Sequence, residues 1–169
     1  MEVPVSTRKR LPKSLIDLTQ LREVNLAGRG GHERGISILL PRWRRVNAPL
    51  HDFETTVQGK TLRLEVKSQS NIQWFDIRKF HALSRQERLT RIMFLIHSDE
   101  VIDRIEVTTL GELLDWMLLN RQSDGWTEEV IRLGAELRHK YPSMQFKARA
   151  NILSIITEAP ELFDTIFSK

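Results

Sequence analysis

The stretch HDFETTVQGKTLRLEVKSQSNIQW, residues 51–74, decides the fold. Apolar and polar side chains alternate from 51 to 57 and again from 61 to 68, the period of a half-buried strand. Between them, Gln58-Gly59-Lys60 is a turn signal. A two-residue loop at Gln58 and Gly59 sets Val57 against Lys60, Thr55 against Leu62, Phe53 against Leu64 and Asp52 against Glu65. Phe53, Leu62, Leu64 and Val66 then share one face, and Asp52, Glu54, Glu65 and Lys67 share the other. A slip by one residue throws Phe53 onto the charged face, so burial itself selects the register that joins the two acids.

Upstream of the hairpin, Leu15, Leu18, Leu21 and Val24 fall at helical spacing behind Ser14, a suitable N-cap. Residues 27–31 break that helix. A second, short one starts at His32 or Glu33 and runs to Pro41, which cannot continue it. Residues 43–47 suit a first strand. Downstream, residues 75–89 read as a helix with Ile77, Phe80, His81 and Leu83 inward. The run RIMFLIH (91–97) is a strand apolar on both faces, as in parallel sheets. Another strand, DRIEVTTL, follows. Thr109 with Glu112 three residues on opens a helix, Thr127 caps the next, and a third spans about 145–157 before PELFDTIF closes in a turn or short helix. The expectation is one domain of the α/β class, with a core over about 14–107 and a helical extension over about 109–169. Single cores commonly reach about 100–200 residues, so 169 fit one. Trp116, Met117, Trp126, Ile131, Ile152 and Ile155 in the extension serve either packing or a dimer surface.

With no cysteine, disulfides and thiolate metal sites are excluded, and a metal must be held by oxygen or imidazole. The N-terminus lacks the apolar segment of a signal peptide, and no apolar run approaches the roughly 20 residues that span a bilayer. A soluble, cytoplasmic chain with no membrane partner is expected. The net charge of +4 is uneven: residues 1–60 hold 11 Lys and Arg against 6 Asp and Glu, and the remainder 15 against 16. A basic first third favours a polyanionic partner.

Glu65 and Lys67 stand two residues apart, so in a strand they point the same way, roughly 6.5–7 Å apart along the backbone. Asp52 joins them across the hairpin. Two carboxylates at that range repel unless a proton or cation sits between them, and hard oxygen ligands of this kind suit Mg²⁺. The lysine then either orients and helps deprotonate an attacking water or offsets charge that builds in the transition state.

Asp52, twelve intervening residues and then Glu65-Val66-Lys67, on a hairpin preceded by a helix bearing Glu33, resemble the PD-(D/E)XK nuclease superfamily over about residues 31–97. The family pattern has a proline directly before the first acid; here Pro49 stands three positions ahead of Asp52. The resemblance implies a restriction-endonuclease-like core, αβββαβ, with a mixed central sheet flanked by helices. It implies that Asp52, Glu65 and the Val66 carbonyl hold Mg²⁺, with Mn²⁺ as a substitute, and that Lys67 is the catalytic lysine. Glu33 resembles the acid some members carry on the first core helix; the alternative is a first-turn acid favoured by the helix dipole. Gln69 continues an ExKxQ string, to contact water or phosphate, or else is simply a polar strand end.

Phosphate contacts draw on Arg and Lys, and base edges on short polar groups. Arg42, Arg44 and Arg45 next to the hairpin, and Ser70, Asn71, Gln73, Arg78 and Lys79 after it, are the candidates for binding DNA. A metal-dependent deoxyribonuclease is implied, an endonuclease of restriction or defence type acting as a homodimer because two strands need two sites. A Holliday-junction-resolvase-like nuclease and a non-catalytic DNA-binding subunit of the same fold are the alternatives.

Overall fold

Strands β2 (Phe53–Val57) and β3 (Lys60–Ser68) form the hairpin expected from the alternation, in the expected register: Val57 opposes Lys60, Thr55 opposes Leu62 and Phe53 opposes Leu64. Gln58 and Gly59 close it with φ of 51° and 76°, the double left-handed turn whose twist matches paired strands. The computed structural model describes residues 36–46, 48, 51–68, 74–80, 85–98 and 101–168. The helix expected over 14–26, together with Glu33, Gln69, Ser70, Asn71, Gln73, His81 and Leu83, lies outside the described residues.

Helix α1, described over residues 36–39, stops before Pro41. A two-residue strand, β1 (Arg44–Arg45), then pairs with β2. Beyond the hairpin come β4 (Trp74–Asp76), a 3-10 turn at Ile77–Lys79, α2 (Arg85–Arg88), β5 (Arg91–Ser98) and β6 (Val101–Thr109). The chain ends with α3 (Leu110–Asn120), α4 (Glu128–Lys140), β7 (Lys147–Arg149), α5 (Ile152–Glu158), a 3-10 turn and β8 (Asp164–Ser168). Among the described residues six strands make the main sheet in the order β1-β2-β3-β5-β6-β8, and β4 pairs with β7 in a small second sheet. Of these main-sheet pairs β3 and β5 run parallel and the others antiparallel, so the sheet is mixed and mostly antiparallel.

A core covers each face of the main sheet. Phe53, Leu64, Met93, Leu95, Ile105 and Val107 pack with Ile36, Leu39 and Trp43 on one side. Ile92 and Phe94 pack on the other with Leu113, Met117, Trp126 and Ile155. Successive β5 residues thus enter opposite cores, which explains its unbroken apolar run. Thr109 caps α3 by accepting the Glu112 N–H at 3.2 Å, and Thr127 caps α4 through the Val130 N–H at 3.2 Å. Of the extension residues left between packing and a dimer surface, Met117, Trp126, Ile131, Ile152 and Ile155 are buried and serve packing, and Trp116 is partly exposed.

Three expectations are corrected. Of the helix foreseen over 75–89, Arg85–Arg88 is helical, but its first part gives way to a strand and a 3-10 turn, because Phe75 pairs with Ala148 on a distant strand and the Asp76 carboxylate caps the turn at the Arg78 N–H, 3.0 Å away. The helix foreseen over 145–157 starts only at Ile152; Asn151 caps it through the Ser154 N–H at 3.2 Å, and the residues before it form β7. The extension is not purely helical either, since β8 joins the main sheet beside β6 and sends Ile166 into the first core. Among the described residues no helix is long and apolar enough to cross a membrane.

Candidate active site

The site forms where β2 gives out and β3 continues. The β2–β3 ladder ends at Phe53 opposite Leu64. One residue earlier the chain leaves the pleat: the Asp52 N–H donates to the Leu64 carbonyl at 2.8 Å, and its own carbonyl accepts the Val46 N–H at 2.8 Å. The side chain then takes the next ladder position. Asp52 Oδ2 accepts the Val66 N–H at 2.9 Å, so the carboxylate lies along the edge of β3 instead of squarely opposite Glu65 as the alternation foresaw. In an extended strand the N–H and C=O of one residue point to the same side. The Val66 carbonyl therefore faces the Asp52 side of β3, beyond the last β2 pair.

Glu65 and Lys67, on either side of Val66, line one cleft with Phe75, Asp76, Phe80, Ile92 and Leu110. Lys67 Nζ lies 4.6 Å from the Phe75 ring centroid, within the range at which a ring face attracts an ammonium group. The structure thus brings Glu65 and Lys67 together and places Asp52 next to them through Val66. Among the described residues no group of three or more His, Asp or Glu side chains converges. Two carboxylates and a backbone carbonyl are nevertheless the hard oxygen donors that Mg²⁺ takes, completed by water and substrate.

Glu54 is engaged elsewhere. It meets His51 Nε2 at 2.7 Å and Arg44 Nη2 at 3.1 Å. The His51 hydrogen bond, with help from Arg44, holds its carboxyl below the ordinary carboxylate value. Strict alternation would turn His51 to the face opposite Asp52, but β2 starts only at Phe53, and the buried ring swings onto Glu54.

The arginines divide. Arg42, Arg44 and Arg45 are exposed on or beside the edge strand, the Arg44 side chain by 77%. Register sets Arg44 opposite Glu54, and Glu54 opposite Arg63, in a row one pleat from Glu65. Arg78, expected on DNA, sits instead inside the protein at 9% exposure. Its Nε and Nη2 donate to the Asp76 carboxylate at 3.0 and 2.7 Å, and its Nη1 donates to the Tyr141 carbonyl at 2.6 Å. The Lys79 backbone belongs to the 3-10 turn.

Three residues of this region escaped the sequence reading. Arg63 shares the Glu65 face, and the spacing Arg63, Glu65, Lys67 carried that signal. Asp76 bore a recognisable cap signal ahead of Ile77-Arg78-Lys79. Phe75 was hidden by assigning its segment to a helix. Neither the scan against protein-family models nor the search of curated proteins finds a match to this chain.

Proposed function

We propose that this protein is a metal-dependent deoxyribonuclease of the PD-(D/E)XK type, an endonuclease hydrolysing DNA phosphodiester bonds. The observation that carries the reading is the end of the hairpin, where the Asp52 carboxylate seats on the Val66 N–H while Glu65 and Lys67 flank Val66 in one cleft. The element order is compatible with it: a helix, the β1–β2–β3 meander and, after β4 and α2, β5 running parallel to β3, which the αβββαβ order implied by the resemblance would need.

In this reading Asp52, Glu65 and the Val66 carbonyl hold Mg²⁺, or Mn²⁺ in its place. When bound, the ion supplies Lewis acidity toward the phosphate and toward water. Lys67 presents a cation beside the attacked phosphate and orients the water, offsetting charge that develops in the transition state. Glu33 and Gln69 take the supporting roles that the resemblance implies. Arg42, Arg44 and Arg45 follow the DNA backbone from the exposed sheet edge, and Ser70, Asn71 and Gln73, which follow β3 in sequence, act with Lys79 on the same duplex. Two copies of the chain serve the two strands.

Supercoiled plasmid incubated with purified protein tests this. The parent nicks or linearises the plasmid with Mg²⁺ and not with EDTA, and Lys67→Ala is slower by about 10²-fold or more. Equal cutting by parent and Lys67→Ala, or cutting indifferent to EDTA, sinks the proposal.

A further inference from the structure

Lys67 reaches the cleft on a long, unbranched side chain, and such a chain loses rotamer freedom when it must hold one geometry. The Phe75 ring lies beneath Nζ, 4.6 Å from centroid to nitrogen, and is itself only 3% exposed. Phe75 is held in turn by a three-ring stack. Its centroid is 5.6 Å from that of Phe80 and 6.2 Å from that of Trp126, with Trp126 edge-on. Phe80 and Trp126 meet at 5.6 Å and 90°. Edge-to-face contacts of this kind fix ring orientation as well as burying area. The stack is pinned at its far end, where Trp126 Nε1 donates to the Arg149 carbonyl at 2.8 Å on β7, the strand whose Ala148 pairs with Phe75.

We propose that Phe75 is a positioning residue for Lys67: its ring face seats the ammonium group in the cleft, and the small β4–β7 sheet with Trp126 keeps that face in place. The proposal rests on the nuclease reading above. Leucine at 75 keeps an apolar side chain there and removes the ring face, so Phe75→Leu separates seating from packing.

Phe75→Leu lowers kcat for plasmid cleavage by about 2- to 30-fold, the span a cation–π contact covers between exposed and desolvated sites. KM for DNA stays within about twofold, and Phe75→Tyr, which retains a ring, recovers most of the loss. Ile105→Val, in the core on the opposite sheet face, serves as a packing control and leaves kcat unchanged. A second readout does not depend on cleavage. In NMR spectra of protein labelled at its eight lysines, the Lys67 ε-methylene, assigned by its loss in Lys67→Arg, lies upfield of the others through the ring current and returns to their position in Phe75→Leu. Parental kcat in Phe75→Leu, or an equal loss in Ile105→Val, overturns the proposal. An unshifted Lys67 resonance in an active parent overturns it alone, leaving the nuclease reading standing. An inert parent with the shift intact removes the nuclease reading, and the catalytic meaning of the ring with it.

Discussion

Asp52 combines two roles that a pair of substitutions separates. Its carboxylate accepts the Val66 N–H at 2.9 Å and is assigned to the metal. Asp52→Ala removes the acceptor and the charge; Asp52→Asn keeps a carbonyl oxygen able to accept and removes only the charge. A hydrogen bond to a charged group contributes about 1.5–3 kcal/mol, and a neutral one about 0.5–1.5 kcal/mol. Asp52 is partly exposed, so water can reach the abandoned N–H, which places the alanine variant near the lower end, about 1–2 kcal/mol less stable. The asparagine variant loses about 1 kcal/mol or less. At about 2–4 °C per kcal/mol for a chain of this size, melting followed by circular dichroism shows a drop of roughly 2–8 °C for alanine and clearly less for asparagine. Activity follows the opposite logic. Both variants lose Mg²⁺-dependent cleavage by at least the roughly 10- to 100-fold that follows loss of groups merely supporting a metal ligand, and calorimetric titration shows weakened Mg²⁺ binding in both. Parental cleavage by Asp52→Asn would reduce Asp52 to a strand terminator. Equal stability of parent and alanine variant would refute the argument from the hydrogen bond.

The close approach of α4 to the 3-10 turn gives a second expectation. A Cβ at Gly134 would stand 2.8 Å from the Ile77 carbonyl oxygen and 3.3 Å from its carbon, and backbone cannot swing aside as a side-chain tip can. Gly134→Ala therefore destabilises by about 1–3 kcal/mol despite its gain in helix propensity, seen as a lower urea midpoint; a midpoint at or above the parent's contradicts the contact. A third concerns acid. The folded Glu54 carboxyl is held below its ordinary 4.5, first by the His51 hydrogen bond and then with Arg44. A depressed folded pKa contributes stability that is present above the unfolded value and lost as pH falls through the folded one. The stability gap between parent and Glu54→Gln is thus present above about pH 4.5 and closes as pH falls through the lower folded value; a gap that widens in acid reverses the assignment.

The hairpin was legible because its information is local. Phe53, Leu62, Leu64 and Val66 recur with period two, and Gln58-Gly59 supplies the turn that fixes their partners. Thr109 and Thr127 announced their helices for the same reason: a cap and the N–H it accepts lie three residues apart. The strands that escaped have remote partners. β4 meets β7 more than 70 residues later, and Phe75 gives no sign of Ala148. β8 is recruited by the edge of β6, and Asp164 to Ser168 lacks any turn tying it there. The candidate site divides likewise. The spacing of Glu65 and Lys67 foretold a common cleft, whereas the seat of Asp52 on Val66 depends on β2 ending at Phe53, and Phe75 beneath Lys67 depends on the distant pairing of β4.

Apolar packing in the two cores fixes the geometry of the site. Leu64 is fully buried on one face of the sheet, and on the other Ile92, beside Glu65 in register, and Phe94, beside Lys67, are equally buried. A one-residue slip of β3 would drive Glu65 and Lys67 toward the first core and turn Leu64 and Val66 into the cleft. Exposing Leu64 alone gives up about 1.5–3 kcal/mol, before the larger cost of burying charges. β5 resists the slip from its other side, because its parallel pairing with β3 is fixed by residues that enter both cores in alternation. The position of the lysine and the glutamate is thus enforced by apolar residues of β3 and β5 that alternate between the two cores.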